Sequence, residues 1–233
     1  MTDYEITRDI AKKVVETVDQ GLSSGLGKPV PGQMCVEAAV CFAMGLPHGD
    51  NPHCVGAAVR AYKIRLNDAQ WSSNAARAAG MRRVAVAQLG SDQIDQVEFT
   101  KELTLQVTRQ LLPIALRAAT SLNPDHAAAL ETAAVSCEAI TLLSQVGKVA
   151  YAAARAAAAA DTAYVADTVY VADTGYVAYA AYAAADAVAR AADAADAADA
   201  KKRDSILSMA AEIGVQALIK LGAKGTEWLD LCD

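Results

Sequence analysis

Apolar residues recur every three to four positions along most of this chain, a spacing that predicts one amphipathic helix after another. Ile6, Ile10, Val14 and Val18 form the first stripe, and Thr2-x-x-Glu5 reads as a capping box, so a helix is expected over residues 2–20, ended by Gly21. Beyond the loop LSSGLGKPVPG a second helix is expected over 33–44, stopped by Gly45-Leu46-Pro47. Pro52 suits the first position of a third helix reaching Leu66, with Val55, Ala58, Val59 and Tyr62 inward and Arg60 and Lys63 pointing away from them. Ser72 or Ser73 caps a fourth, which turns Ala78, Met81, Ala85 and Leu89 inward and ends at Gly90. Asp95-x-x-Glu98 caps a fifth, buried through Phe99, Leu103, Val107 and Leu111, and Pro113 predicts a kink or a fresh start that continues to about Leu122.

From Asn123-Pro124-Asp125, a cap followed by Pro and an acid, helical composition runs to Lys201. One helix of that extent would be about 115 Å long, so breaks are expected at Gly147, Asp161-Thr162 or Gly175. A last helix begins near Asp204-Ser205, with Ile206, Met209, Ile213, Ala217 and Leu221 inward, before Gly222. The fold class expected is all-α, a multi-helix bundle with long alanine-rich C-terminal helices, divided into a core over 1–122 and an extension over 123–233 packed on or beside it.

Within that extension, residues 163–180 repeat as AYVADT, VYVADT, GYVAYA, and AAD triplets fill 191–199. A six-residue period advances a helix by 240°, so Tyr164, Tyr170 and Tyr176 circle the rod and build no single face. The same step removes the likeness to alanine-rich ice-binding helices, whose threonines must return to one side. On a strand the even period would align Tyr164, Tyr170 and Tyr176, but the alanine-rich flanks favour helix.

Composition alters this picture in three ways. Much of the 54% apolar content is alanine, which buries little area, so the core is thinner than the figure suggests. Residues 1–150 hold 14 Lys+Arg against 15 Asp+Glu and residues 151–233 hold 7 against 12, so any affinity for nucleic acid must come from a local patch. Five cysteines without a dense framework point to a reducing compartment, and the N-terminus MTDYEITRD carries no secretory signal. Residues 149–160 come nearest to a membrane span and are interrupted by Arg155, so a cytoplasmic protein without membrane association is expected.

Three constellations carry candidate chemistry. Cys35, expected in the first turn of its helix where the dipole favours a thiolate, is a nucleophile candidate. His48 lies beyond the far end of that helix, which leaves His126 as the base of a cysteine-dependent hydrolase or transferase. Cys41, His48, His53 and Cys54 have a spacing that matches no zinc module, so neither metal nor cofactor is expected. Arg60, Lys63, Arg65, Arg77, Arg82 and Arg83, with Asp68 the only acid among them, form the candidate nucleic-acid patch; pairing with the acidic C-terminal part would consume it.

The stretch GKPVPGQMCVEAAVCFAMGLPHGDNPHCVGAAVRAYKIRLND, with WSSNAARAAGMRRVAVAQLGS behind it, resembles a set of uncharacterised bacterial and phage proteins, over roughly residues 1–125. That likeness implies no catalytic residues. The alanine-, tyrosine- and aspartate-rich region 150–200 is similar in composition to helical parts of bacterial immunity proteins. Together these readings lead to a non-enzymatic helical binding or inhibitor-type protein of a bacterium or phage, working through a protein partner or by self-association, because alanine-rich faces bury too little on themselves.

Overall fold

The computed structural model describes residues 5–122, 124–159 and 200–233. All regular structure in them is helical: α1 Arg8–Val18, α2 Val36–Ala43, α3 Ala57–Asp68, α4 Asn74–Ala87, α5 Gln96–Gln110, α6 Leu112–Leu122, α7 Ala127–Glu138, α8 Leu143–Ala159 and α9 Ala200–Lys220. A 3-10 segment, Lys224–Cys232, closes the chain. The protein is an all-α multi-helix bundle, and no described helix is long and apolar enough to cross a membrane. The hexads at 163–180, the AAD triplets, the Asp161-Thr162 and Gly175 breaks and the Thr2 cap lie outside the described residues.

Side-chain caps decide several helix starts. Thr7 caps α1, its hydroxyl accepting from the Ile10 N–H at 3.3 Å. Ser73 caps α4 through the Ala76 N–H, and Asp95 caps α5 by accepting from the Val97 and Glu98 N–H groups. Pro52 does not open α3, which starts after Gly56, so the third helix is shifted along the chain and runs on through Asn67 and Asp68. Pro113 sits in the first turn of α6, where its missing N–H costs little, so the chain restarts there instead of kinking. Gly147 lies inside α8, and the break falls earlier, at residues 139–142. There the Gln145 side chain reaches back, its Oε1 accepting from the Thr141 and Leu142 N–H groups, both at 2.8 Å.

Two hydrophobic clusters organise the described residues. The first joins α1–α5 to α9 and the terminal 3-10 segment, and includes Val14, Met34, Tyr62, Met81, Phe99, Leu207 and Leu218. The second joins Leu112 and Leu116 of α6 to Leu130, Ala134 and Cys137 of α7 and Val146, Ala150 and Ala153 of α8. The clusters therefore run across the boundary expected at residue 122, and α9 belongs to the first of them. Tyr62 fixes α3 to α9: its hydroxyl donates to the Ala210 carbonyl at 2.8 Å, and its ring lies against Gly214, where a Cβ would meet it at 3.0 Å. Arg117 of α6 reaches both Glu131 and Glu138 of α7.

Candidate functional site

The most unusual chemistry lies in the first cluster, between α2 and α3. The α2 sequence VEAAVCFA is apolar nearly all round, and all of its residues but Phe42 are buried. Glu37 is carried in with it and is 0% exposed. Its partner is Lys63, also 0% exposed, with Nζ 2.7 Å from Glu37 Oε1. The expectation that Lys63 faces away from the α3 core is corrected here. Lys63 follows Val59 by four residues and precedes Leu66 by three, which puts it on the buried stripe of α3. Neither Lys63 Nζ nor either Glu37 oxygen has a well-formed hydrogen bond.

Burial dominates the electrostatics of the pair. It raises the Glu37 carboxyl above the ordinary value, with Lys63 and Arg60 pulling back, and it lowers the Lys63 ammonium, with Glu37 opposing. Each group is thus pushed towards its neutral form, and each depends on the other to remain charged. Two long polar side chains are held fully buried at a cost that packed apolar residues would not incur.

Around the pair, a glycine-rich loop is tied over the start of α2. Gly27 and Met34 form an isolated antiparallel bridge, the Lys28 N–H donates to Gln33 O at 2.7 Å, and the Cys35 N–H donates to Leu26 O at 3.2 Å. Gly27 has φ +70°, and a Cβ there would stand 2.1 Å from Gln33 O, so only glycine fits. Asn67 anchors the loop from α3, its Oδ1 accepting from the Val36 N–H and its Nδ2 donating to Ser23 O. Gly25 N–H donates to Asp68 Oδ1 at 2.7 Å. A recess with a volume of about 40 Å³ remains between loop and helices, lined by Gly25, Cys35, Glu37, Asp50, Asn67 and Asp68 among others.

The residues picked out from sequence fall into different settings. Cys35 is the N-cap of α2 and not a residue of its first turn; its Sγ accepts from the Ala38 N–H at 3.4 Å. It is buried, and desolvation raises its pKa, the direction opposite to activation. His126 directly precedes α7, in the part of the chain built on the second cluster. Cys41 and Cys54 are buried thiols raised to about 11 and about 12, and Cys54 Sγ lies 3.3 Å from Met44 Sδ. His53 is exposed, and among the described residues no group of three or more His, Cys, Asp or Glu side chains is placed to hold a metal ion.

Most of the basic patch is engaged within the fold. Lys63 is paired with Glu37, and Arg77 is buried, donating to the carbonyls of Leu22 and Asn67 and to Asn74 Oδ1. Arg82 pairs with Asp19, and Arg83 pairs with Glu212 and Asp233 of the C-terminal part. Arg60 and Arg65 are half-buried. Sequence reading passed over Glu37, the lone acid in the otherwise apolar VEAAVCFA, because its partner Lys63 lies on another helix.

No protein-family model, curated protein or solved structure matches the chain. The fold and site define an all-α protein whose first core is built around a buried Glu–Lys pair.

Proposed function

We propose that this chain is a non-enzymatic helical binding protein of the inhibitor type, of bacterial or phage origin, that acts through protein contacts made around the α7–α8 turn. One observation carries the reading: large apolar side chains stand exposed on these two helices and the turn between them, Leu142 60% and Tyr151 64% accessible, with Val135 of α7 and Leu143 at the start of α8 exposed as well. The core beneath them is thin, with Ala133, Ala134, Ala150 and Ala153 supplying much of it. Apolar side chains over so small a core gain more from a partner than from water. Lys63, Arg77, Arg82 and Arg83, by contrast, are engaged in contacts within the fold.

Leu142 makes the test specific. It occupies the position before α8, where Ser, Thr, Asp or Asn would supply a cap and leucine supplies none. Leu142→Ser is therefore expected to stabilise the free protein by about 0.5–1 kcal/mol in urea denaturation, while weakening association at least tenfold in analytical ultracentrifugation. A wild-type chain that remains a monodisperse compact monomer at the highest concentration it tolerates, with Leu142→Ser behaving identically, counts against the reading.

A further inference from the structure

We infer that the surface around the α7–α8 turn is occupied by a second copy of this chain, with α8 of each protomer lying antiparallel against α7 of the other. The inference rests on the reading of that surface as a protein-contact site and adds the identity of the partner. Its support is the match between two rows of exposed side chains. On α7, Glu131, Val135 and Glu138 follow one another by four and then three residues, so they share one face of the helix. On α8, Lys148, Tyr151 and Arg155 follow by three and then four residues, on the side away from the buried row Val146, Ala150 and Ala153. Laid antiparallel, the two rows coincide: Glu131 meets Arg155, Val135 meets Tyr151 and Glu138 meets Lys148. Laid parallel, the central pair falls one residue out of step. The antiparallel match sets an acid against a base on either side of an apolar pair that the single chain leaves exposed, Val135 by 52% and Tyr151 by 64%.

Within one chain the two rows do not meet. Arg117 of α6 holds both Glu131 and Glu138, so two carboxylates share one guanidinium. Lys148 and Arg155 have no ion pair among the described residues. No acid lies on α8 and no base on α7, so each helix is complementary in charge to the other and not to itself. This sign pattern decides the occupant and its pose. Packing α8 on α8 of a copy would set like charges together, whereas α8 on α7 sets opposite charges together in both halves of a two-fold interface. An interface of that kind is self-complementary and closes at two copies.

The test compares the full chain with two charge-reversed proteins, Lys148→Glu with Arg155→Glu and Glu131→Lys with Glu138→Lys, by sedimentation at matched concentrations. The wild type is expected to dimerise, and to do so more weakly as salt is added. Each reversed protein alone is expected to dimerise about tenfold more weakly or worse, because like charges then meet in both halves. An equimolar mixture of the two is expected to restore association, since every contact in the mixed pair is again between opposite signs. Lys148→Glu with Arg155→Glu alters exposed side chains alone and leaves the core intact. Where loss of the Arg117 contacts unfolds the other protein, Val135→Cys mixed with Tyr151→Cys replaces it, and oxidation is expected to join positions 135 and 151 of unlike chains. A wild type that stays monomeric at every concentration, or reversed proteins that associate like the wild type, overturns the inference. In the second case, association that Leu142→Ser still weakens leaves the contact surface standing and removes only this pairing of α7 with α8.

Discussion

Lys63→Met is expected to destabilise the protein by about 3–5 kcal/mol, whereas Lys63→Met combined with Glu37→Leu should be neutral or more stable than the wild type. The asymmetry follows from the place of the pair. Both side chains are fully buried, and the carboxylate has the ammonium 2.7 Å away, with a weaker pull from Arg60, to offset the loss of water. Removing the lysine leaves an isolated carboxyl in an apolar core, and removing both leaves apolar side chains of similar volume between α2 and α3. Urea denaturation of the two variants measures the difference. A single variant that loses less than about 1 kcal/mol would mean that water reaches Glu37 as soon as Lys63 is gone.

The single variants Lys63→Met and Glu37→Gln should differ in the sign of their pH dependence. Unfolded, the pair carries one proton at any pH between the ordinary values of 4.5 for the carboxyl and 10.5 for the ammonium. Folded, it also carries one, whichever member holds it, so the wild-type pair adds no slope near neutrality. In Lys63→Met, the raised Glu37 binds a proton in the folded state that the unfolded state has released above 4.5. Stability then falls as pH rises, by up to about 1.4 kcal/mol per unit, and the variant is firmer at pH 5 than at pH 8. In Glu37→Gln, the lowered Lys63 gives the opposite slope, with stability lost as pH falls below 10.5. Denaturation midpoints at pH 5, 7 and 9 separate the two signs.

Helical content, the Ser73 and Asp95 caps and most inward stripes were legible because each rests on local chemistry: a side-chain oxygen beside free amides, or apolar residues at a 3.6 period. The start of α3 was not, since Pro52 satisfies the local rule for a first helical residue while tertiary contacts hold Gly56 in place. There the Gly56 N–H donates to Ser91 Oγ, and the Gln96 side chain caps the helix through the Ala58 N–H. Gly147 misled for a similar reason, because α8 needs no break where the Gln145 side chain already starts the helix upstream. Lys63 was misplaced because charge was given priority over position. Its spacing from Val59 and Leu66 marked the buried face, but only Glu37, on another helix, explains how a lysine can remain there. Long-range complementarity of that kind has no local signature.

A close backbone crossing at Gly225 should be intolerant of a single methyl group. Gly225→Ala is expected to cost about 3 kcal/mol, while Gly222→Ala, three residues earlier, costs about 1–2 kcal/mol. At Gly225 the terminal 3-10 segment lies on the end of α4: its N–H donates to Leu89 O at 2.7 Å, and an added Cβ would stand 2.0 Å from Val86 O and 3.0 Å from Leu89 Cβ. Backbone faces backbone there, so no side chain can swing aside. Gly222 has φ +71° but open space around it, so only the strain of the left-handed backbone opposes a side chain. If the segment lifts, Leu229 leaves the first cluster and the Arg8–Asp230 and Arg83–Asp233 pairs are broken, exposing Val86 at the end of α4 and Leu89 just beyond it. Hydrogen exchange at the Gly225 amide, together with denaturation of both variants, distinguishes local lifting from global loss. Equal costs for the two substitutions would show that the terminal segment rests on α4 more loosely than these distances require.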